Sequence, residues 1–187
     1  MPSPVHESIV SAITDGFVGV KESLPAPIRR NITAVSNQAY KNFQGRYRRS
    51  RKTPGLAVEF PNANGDLDPK FILEVGFSEP YEDLAQAAKL WLEGKPQVSV
   101  VMIVNFEESP PFRCPAHDLD EEQLLQFPDD VETERQQFIV HDSYGPITYR
   151  RLQWVGRFPT VYAEVWRRDA ATGFAVQSGN RVVGYFR

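Results

Sequence analysis

The sequence predicts an α/β fold with a mixed central sheet, flanking helices and additional C-terminal strands, and three observations carry that prediction. Lys70–Phe77 and Val98–Phe106 are nearly continuous apolar runs, the composition of strands covered on both faces. Between them, Ser78-Glu79-Pro80 opens a segment in which Leu84, Ala88, Trp91 and Leu92 share one helical face, with Gly94 and Pro96 as stop signals. Strand, helix, strand in that order is a crossover unit with parallel strands. Beyond Gln137 the chain breaks into short strand-like runs separated by Gly, Pro, Asp and Asn.

The remaining elements follow in chain order. Val5, Ile9, Ile13 and Phe17 recur every four residues, so Pro4–Val20 reads as an amphipathic helix. After Leu24-Pro25-Ala26-Pro27, the positions Ile28, Ile32, Val35, Tyr40 and Phe43 predict a second helix ending at Gly45. Arg46–Thr53 is a basic connector, and Pro54-Gly55 a turn. Leu56–Phe60 alternates as a strand, and Pro61–Asp66 is dense in turn formers. Glu107–Pro128 reads as a long loop with a short helix at Glu121–Phe127. Strands are expected at Gln137–Val140, Thr148–Gly156, Val161–Arg168, Phe174–Gln177 and Val182–Phe186, with hairpin turns at Ala170–Gly173 and Ser178–Asn180. At 187 residues this is one domain, 1–187, comprising an N-terminal helical region (1–45) and a core with C-terminal strands (46–187).

Composition excludes several classes. Hydrophobic residues are 41% and charged residues 24%, and no apolar run approaches the ~20 residues of a membrane span, so no membrane partner is expected. Glu7 and the lack of a cationic start argue against a signal peptide, and the lone Cys114 excludes an internal disulfide. Both fit an intracellular location, cytoplasmic or nuclear. The net charge of −3 conceals an asymmetry: residues 1–52 hold nine Lys/Arg against Glu7, Asp15 and Glu22, so they carry +6 and the remainder −9. Cys114 and His117, with His141-Asp142, supply one sulfur only, too little for a structural zinc site.

Glu74 stands out because an ionised carboxylate in so apolar a strand costs several kcal/mol unless it is paired, protonated or metal-bound. Glu59, Asp66 and Asp68 lie upstream, so a second carboxylate at a strand end would suit Mg²⁺, with Mn²⁺ as substitute. Lys89 lies on the returning helix. Two carboxylates and a lysine suit phosphodiester hydrolysis, in which the metal activates water and the cation offsets developing charge. The competing reading makes Glu74 half of a structural ion pair and leaves Lys89 on a solvated face beside Glu93. Arg46, Arg48, Arg49, Arg51 and Lys52 place five cations in seven residues beside Tyr47, a pattern suited to nucleic-acid backbone contacts, to an import address, or to a solvated connector.

The run Phe71-Ile72-Leu73-Glu74-Val75-Gly76-Phe77-Ser78-Glu79, followed by Leu84, Ala87-Ala88 and Trp91-Leu92, resembles the E-V-G-x-S-E … W-L signature of a group of fungal proteins in the restriction-endonuclease-like, or PD-(D/E)XK, superfamily. Lys52-Thr53-Pro54 is similar to the K-x-P-D element of that group. The resemblance spans Lys52 to the C-terminus and implies a restriction-endonuclease-like core and a Mg²⁺-dependent nuclease that binds DNA. A second copy of the chain is a separate candidate partner, which the resemblance does not address. It departs from the pattern twice: Gly55 stands where the metal-binding Asp is expected, and Gly76 where the motif lysine is. The expectation is therefore Asp68 and Glu74 as metal ligands, Glu74, Asp68 and Lys89 as the catalytic set, and Arg46, Arg48, Arg49, Arg51 and Lys52 on the nucleic acid. The alternative is a catalytically lapsed nuclease fold kept as a nucleic-acid or protein interaction module.

Overall fold

The computed structural model describes residues 4–77, 79–111, 114, 117, 119–125, 138–141 and 145–185, with the side chains of 4–9 and Gln123 outside that description. The chain forms two compact units, Met1–Asn105 with Tyr162–Val182, and Phe106–Val161 with Val183–Arg187. It is an α/β structure whose main sheet runs β1 (Thr33–Val35), β2 (Leu56–Pro61), β3 (Leu67–Phe77), β4 (Val100–Ser109), β8 (Arg157–Arg168) and β10 (Val182–Tyr185), with β9 (Ala175–Gln177) also on β8. Among the described residues no helix is long and apolar enough to cross a membrane.

In the first unit, β1, β2 and β3 are antiparallel. The Asn62–Asp66 turn between β2 and β3 is closed by the Asn62 side-chain oxygen, which accepts from the Asn64 and Asp66 N–H groups. The crossover expected from the sequence is present. β3 leads into α3 (Tyr81–Gly94) and then β4. Lys70 accepts a bond from the Ser99 N–H, and Gly76 lies against Asn105. Both pairs advance together along the chain, so β3 and β4 run parallel and the sheet is mixed. α3 buries Leu84, Ala88, Trp91 and Leu92 on one sheet face. α1 (Pro4–Glu22) packs on β3 and buries Val10. Because side chains alternate along a strand, Ile72, Glu74 and Gly76 face α3, while Leu73 and Val75 look the other way.

The second predicted helix is absent and needs correction. Only Ala26–Arg29 is helical (α2), followed by β1 and a 3₁₀ turn at Gly45–Tyr47. The apolar spacing fits a helix, but β-branched Ile32, Thr33 and Val35 favour extension, and Asn37 and Asn42 adopt left-handed φ of 58° and 60°. The predicted Thr148–Gly156 strand is two strands, β6 (Ile147–Tyr149) and β7 (Leu152–Val155), because Arg150 and Arg151 both take positive φ and reverse the chain. Ser178–Asn180 is not a hairpin turn either. β9 pairs with the C-terminal end of β8, and β10 also takes β8 as its partner.

In the second unit, β5 (Phe138–Val140), β6 and β7 form a three-stranded meander in which Phe138 stacks on Tyr149 at 4.9 Å. The expected helix near Glu121 is a single turn, α4 (Glu121–Leu124), and Gln126–Gln137 lies outside the described residues. The buried Glu108 carboxylate accepts the Gly156 N–H at 2.6 Å.

Gly76 is required by contact rather than by dihedral angle. A Cβ there would sit 2.4 Å from Asn105 Oδ1 and 2.7 Å from Leu84 Cδ1. Gly76→Ala is therefore expected to lower unfolding stability by roughly 1–3 kcal/mol, the usual effect of overpacking. Urea denaturation checks this, and an unchanged midpoint would mean that α3 does not pack so closely on β3.

Candidate functional site

Glu74 sits at the centre of a buried polar cluster built from three segments. Its own strand holds five successive buried residues, Ile72–Gly76. From α3, the Trp91 indole N–H donates to Glu74 Oε1 at 2.5 Å. From the stretch before β2, the Lys52 ammonium lies 3.5 Å from Oε2. Trp91 is fully buried, met edge-on by Tyr40 at 5.4 Å and at a tilt by Phe43 at 5.2 Å. Burial pushes the Glu74 carboxyl above the ordinary glutamate range, and the nearby Glu79 charge adds to the rise. The Lys52 charge and the bonds from Trp91 and Lys52 oppose that rise. Both carboxylate oxygens thus have donors supplied by the protein itself.

Asp68 is not part of this cluster. It lies six residues earlier on β3, about 20 Å away along a strand. There it pairs with Lys70 at 3.6 Å. One Mg²⁺ with ligand distances near 2.1 Å is not held by both carboxylates, which corrects the expected metal pair and removes Asp68 from the catalytic set. Asp66 is exposed in the turn, and Glu59 is buried on β2, where it accepts the Tyr40 hydroxyl at 2.7 Å. Among the described residues, no three His, Cys, Asp or Glu side chains gather where a metal ion would be held. The donor set around Glu74, an indole N–H and an ammonium, is chemically unfit for a cation.

Lys89 is half-buried on α3, two residues from Trp91. That step is about 200° around the helix, so Lys89 and Trp91 leave it in nearly opposite directions and Lys89 does not serve Glu74. Gly55, where an Asp was expected, donates its N–H to the Leu73 carbonyl at 3.0 Å. A Cβ on Gly55 would point at Val10 and Val75, 3.2 and 3.7 Å away. A carboxylate there would start on the α1 side of the sheet, away from Glu74.

The basic segment divides in two. Lys52 is committed to Glu74, and Arg46 to Glu93 at 2.5 Å, with its guanidinium 4.8 Å from the Tyr47 ring. Both thus have an internal carboxylate partner, and the Arg46 side chain stays 64% exposed. Arg48, Arg49 and Arg51 are exposed, and among the described residues their side chains have no hydrogen bond or ion pair. Their loop is closed at its base by reciprocal backbone bonds between Tyr40 and Lys52, at 2.8 and 3.1 Å, and pinned to α3 by Gln44 N–H to Gly94 O at 2.7 Å.

Sequence reasoning found Glu74 but missed the Lys52 and Trp91 roles. No local spacing in the sequence marks either partner, because Lys52 lies 22 residues before Glu74 and Trp91 lies 17 after it. His141 bonds Thr148 Oγ1 at 2.9 Å, and Asp142 lies outside the described residues. No family model matches the chain, and no curated protein or solved structure matches it either.

The raised Glu74 carboxyl gives a pH signature. Between its unfolded value near 4.5 and its higher folded value, the native state binds more protons than the unfolded state, so this group lowers stability as pH rises through that window. Glu74→Gln removes the effect. The stability of the variant relative to the native chain is therefore expected to improve as pH climbs from about 4.5 toward neutrality. Urea titrations across that range check this, and a relative stability that worsens with pH would contradict it.

Proposed function

We propose that this chain is a catalytically lapsed restriction-endonuclease-like protein that binds nucleic acid through its phosphate backbone. The observation that carries the reading is the closed state of Glu74, with one oxygen taken by Trp91 and the other facing Lys52. In the resembled superfamily this acid is a metal ligand, and here the two companion positions are Gly55 and Gly76. On this reading the fold and motif are kept without the chemistry, as the separability of fold and function allows. The mixed sheet with its β3–α3–β4 crossover supports the resemblance.

The binding element is the 41–51 loop. Its cross-bridged base preorganises Arg48, Arg49 and Arg51, which lowers the entropy lost when they meet phosphates. The segment's rings are unavailable for base stacking. Tyr40 and Phe43 are buried against Trp91, and Tyr47 lies beneath Arg46. Contact is therefore with charge rather than with bases, which implies weak sequence preference and strong salt dependence.

Three measurements test this. Replacing Arg48, Arg49 and Arg51 together by Ala is expected to weaken nucleic-acid binding and to cut the salt slope by about two to three units. An abasic strand of equal length is expected to bind as well as the strand with bases. No Mg²⁺- or Mn²⁺-dependent cleavage is expected. Brisk cleavage abolished by Glu74→Gln would overturn the lapsed reading, and an unchanged salt slope would overturn the binding element.

A further inference from the structure

A second buried carboxylate on the α3 face of the sheet is held in a different way. Glu164 on β8 is 1% exposed. Its Oε2 accepts the Trp166 indole N–H at 2.9 Å and the Tyr81 hydroxyl at 3.3 Å, and its Oε1 accepts Arg181 Nε at 2.7 Å. The Arg181 guanidinium lies 4.2 Å from the Tyr162 ring centroid and 4.7 Å from that of Tyr81, and the two rings stand 62° apart at 6.4 Å. Two ring faces over a buried anion form an aromatic cage, an arrangement that attracts cations by quadrupole and charge together.

The parts of this cage differ in kind. Tyr162, Glu164 and Trp166 project from one strand, and Tyr81 opens α3, so the receptor is built on regular elements. Asn105, on β4, donates to the Tyr162 hydroxyl oxygen at 3.2 Å and fixes that wall. Arg181 instead lies outside regular structure, in the exposed stretch 176–183, and its side chain remains 38% exposed. A guanidinium on an exposed stretch of main chain outside regular structure is thus the ligand that the cage already displays.

We infer that this cage is a receptor for the guanidinium group of an arginine on a partner polypeptide, and that Arg181 is its intramolecular competitor. A buried Glu164 charge needs a cation at all times, so an incoming arginine exchanges with Arg181 rather than filling an empty site. Exchange leaves Arg181 to water, its ordinary environment. This reading is independent of nucleic-acid binding, because none of its residues belongs to the 41–51 loop.

The probe is the peptide acetyl-Gly-Asn-Arg-Val-Val-amide, which copies Gly179–Val183, added to the full chain while the Trp166 indole N–H resonance is followed. A saturable shift is expected for the native chain, with affinity at least tenfold tighter in Arg181→Ala. No shift is expected with methionine replacing the peptide's arginine, or in Glu164→Gln. Should either variant fail to fold, Arg181→Lys, expected to bind several-fold tighter, and Tyr81→Leu, expected to bind several-fold weaker, take their places. A shift in Arg181→Ala with none in the native chain would make Arg181 a permanent structural plug and overturn the inference. Equal binding of the methionine peptide, or no binding by any form, would overturn it as well.

Discussion

Placing a carboxylate in the middle of a strand covered on both faces imposes the constraint on which much of the first unit depends. Glu74 is buried and needs donors from the protein, and the chain brings them from two sides. Trp91 supplies one from α3, which fixes the rotation of that helix over the sheet. Lys52 supplies the other from the segment before β2. Its backbone is bridged to Tyr40, so satisfying Glu74 also closes the loop that displays Arg48, Arg49 and Arg51. The ring of Tyr40 then packs on Trp91 while its hydroxyl serves Glu59, and one hydrogen-bonded network links β2, β3, α3 and the loop.

The same solution recurs. Glu59, Glu108 and Glu164 are buried, and each accepts at least one hydrogen bond. Burial raises the Tyr40 hydroxyl well above its usual range, and its bond to Glu59 adds to the rise, so the tyrosine stays a neutral donor at any physiological pH. A catalytic carboxylate, by contrast, keeps an oxygen open toward substrate, water or metal. These buried carboxylates are directed to donors within the protein, an arrangement that specifies how the sheet and its helices pack.

Much of this was legible in the sequence where one physical signal acted alone. The runs around Ile72 and Ile103 and the capped, one-faced helix between them leave little but a buried crossover, and Glu74 announced itself as a charge among apolar neighbours. Legibility failed where signals competed. Ile28, Ile32, Val35, Tyr40 and Phe43 have helical spacing, yet β-branching and left-handed asparagines won, and the aromatics were needed to pack on Trp91. The Glu74 partners lie 22 residues before it and 17 after it, separations at which pairing depends on strand register and helix rotation. Asp68 looked near in sequence because a strand carries six residues much farther than a helix does. Arg150-Arg151 carries no glycine or asparagine to mark its turn.

The central claim is that Glu74 is held by Lys52 as an internal pair and not kept for a metal. A double-mutant cycle on unfolding stability, with Glu74→Gln, Lys52→Met and both together, measures that pairing directly. The pair is partly screened because the Lys52 side chain is 35% exposed. The expected coupling is therefore about 1 kcal/mol, with the double variant more stable than the sum of the single losses requires. A coupling indistinguishable from zero would contradict the account, since Lys52 would then lie near Glu74 without compensating its charge.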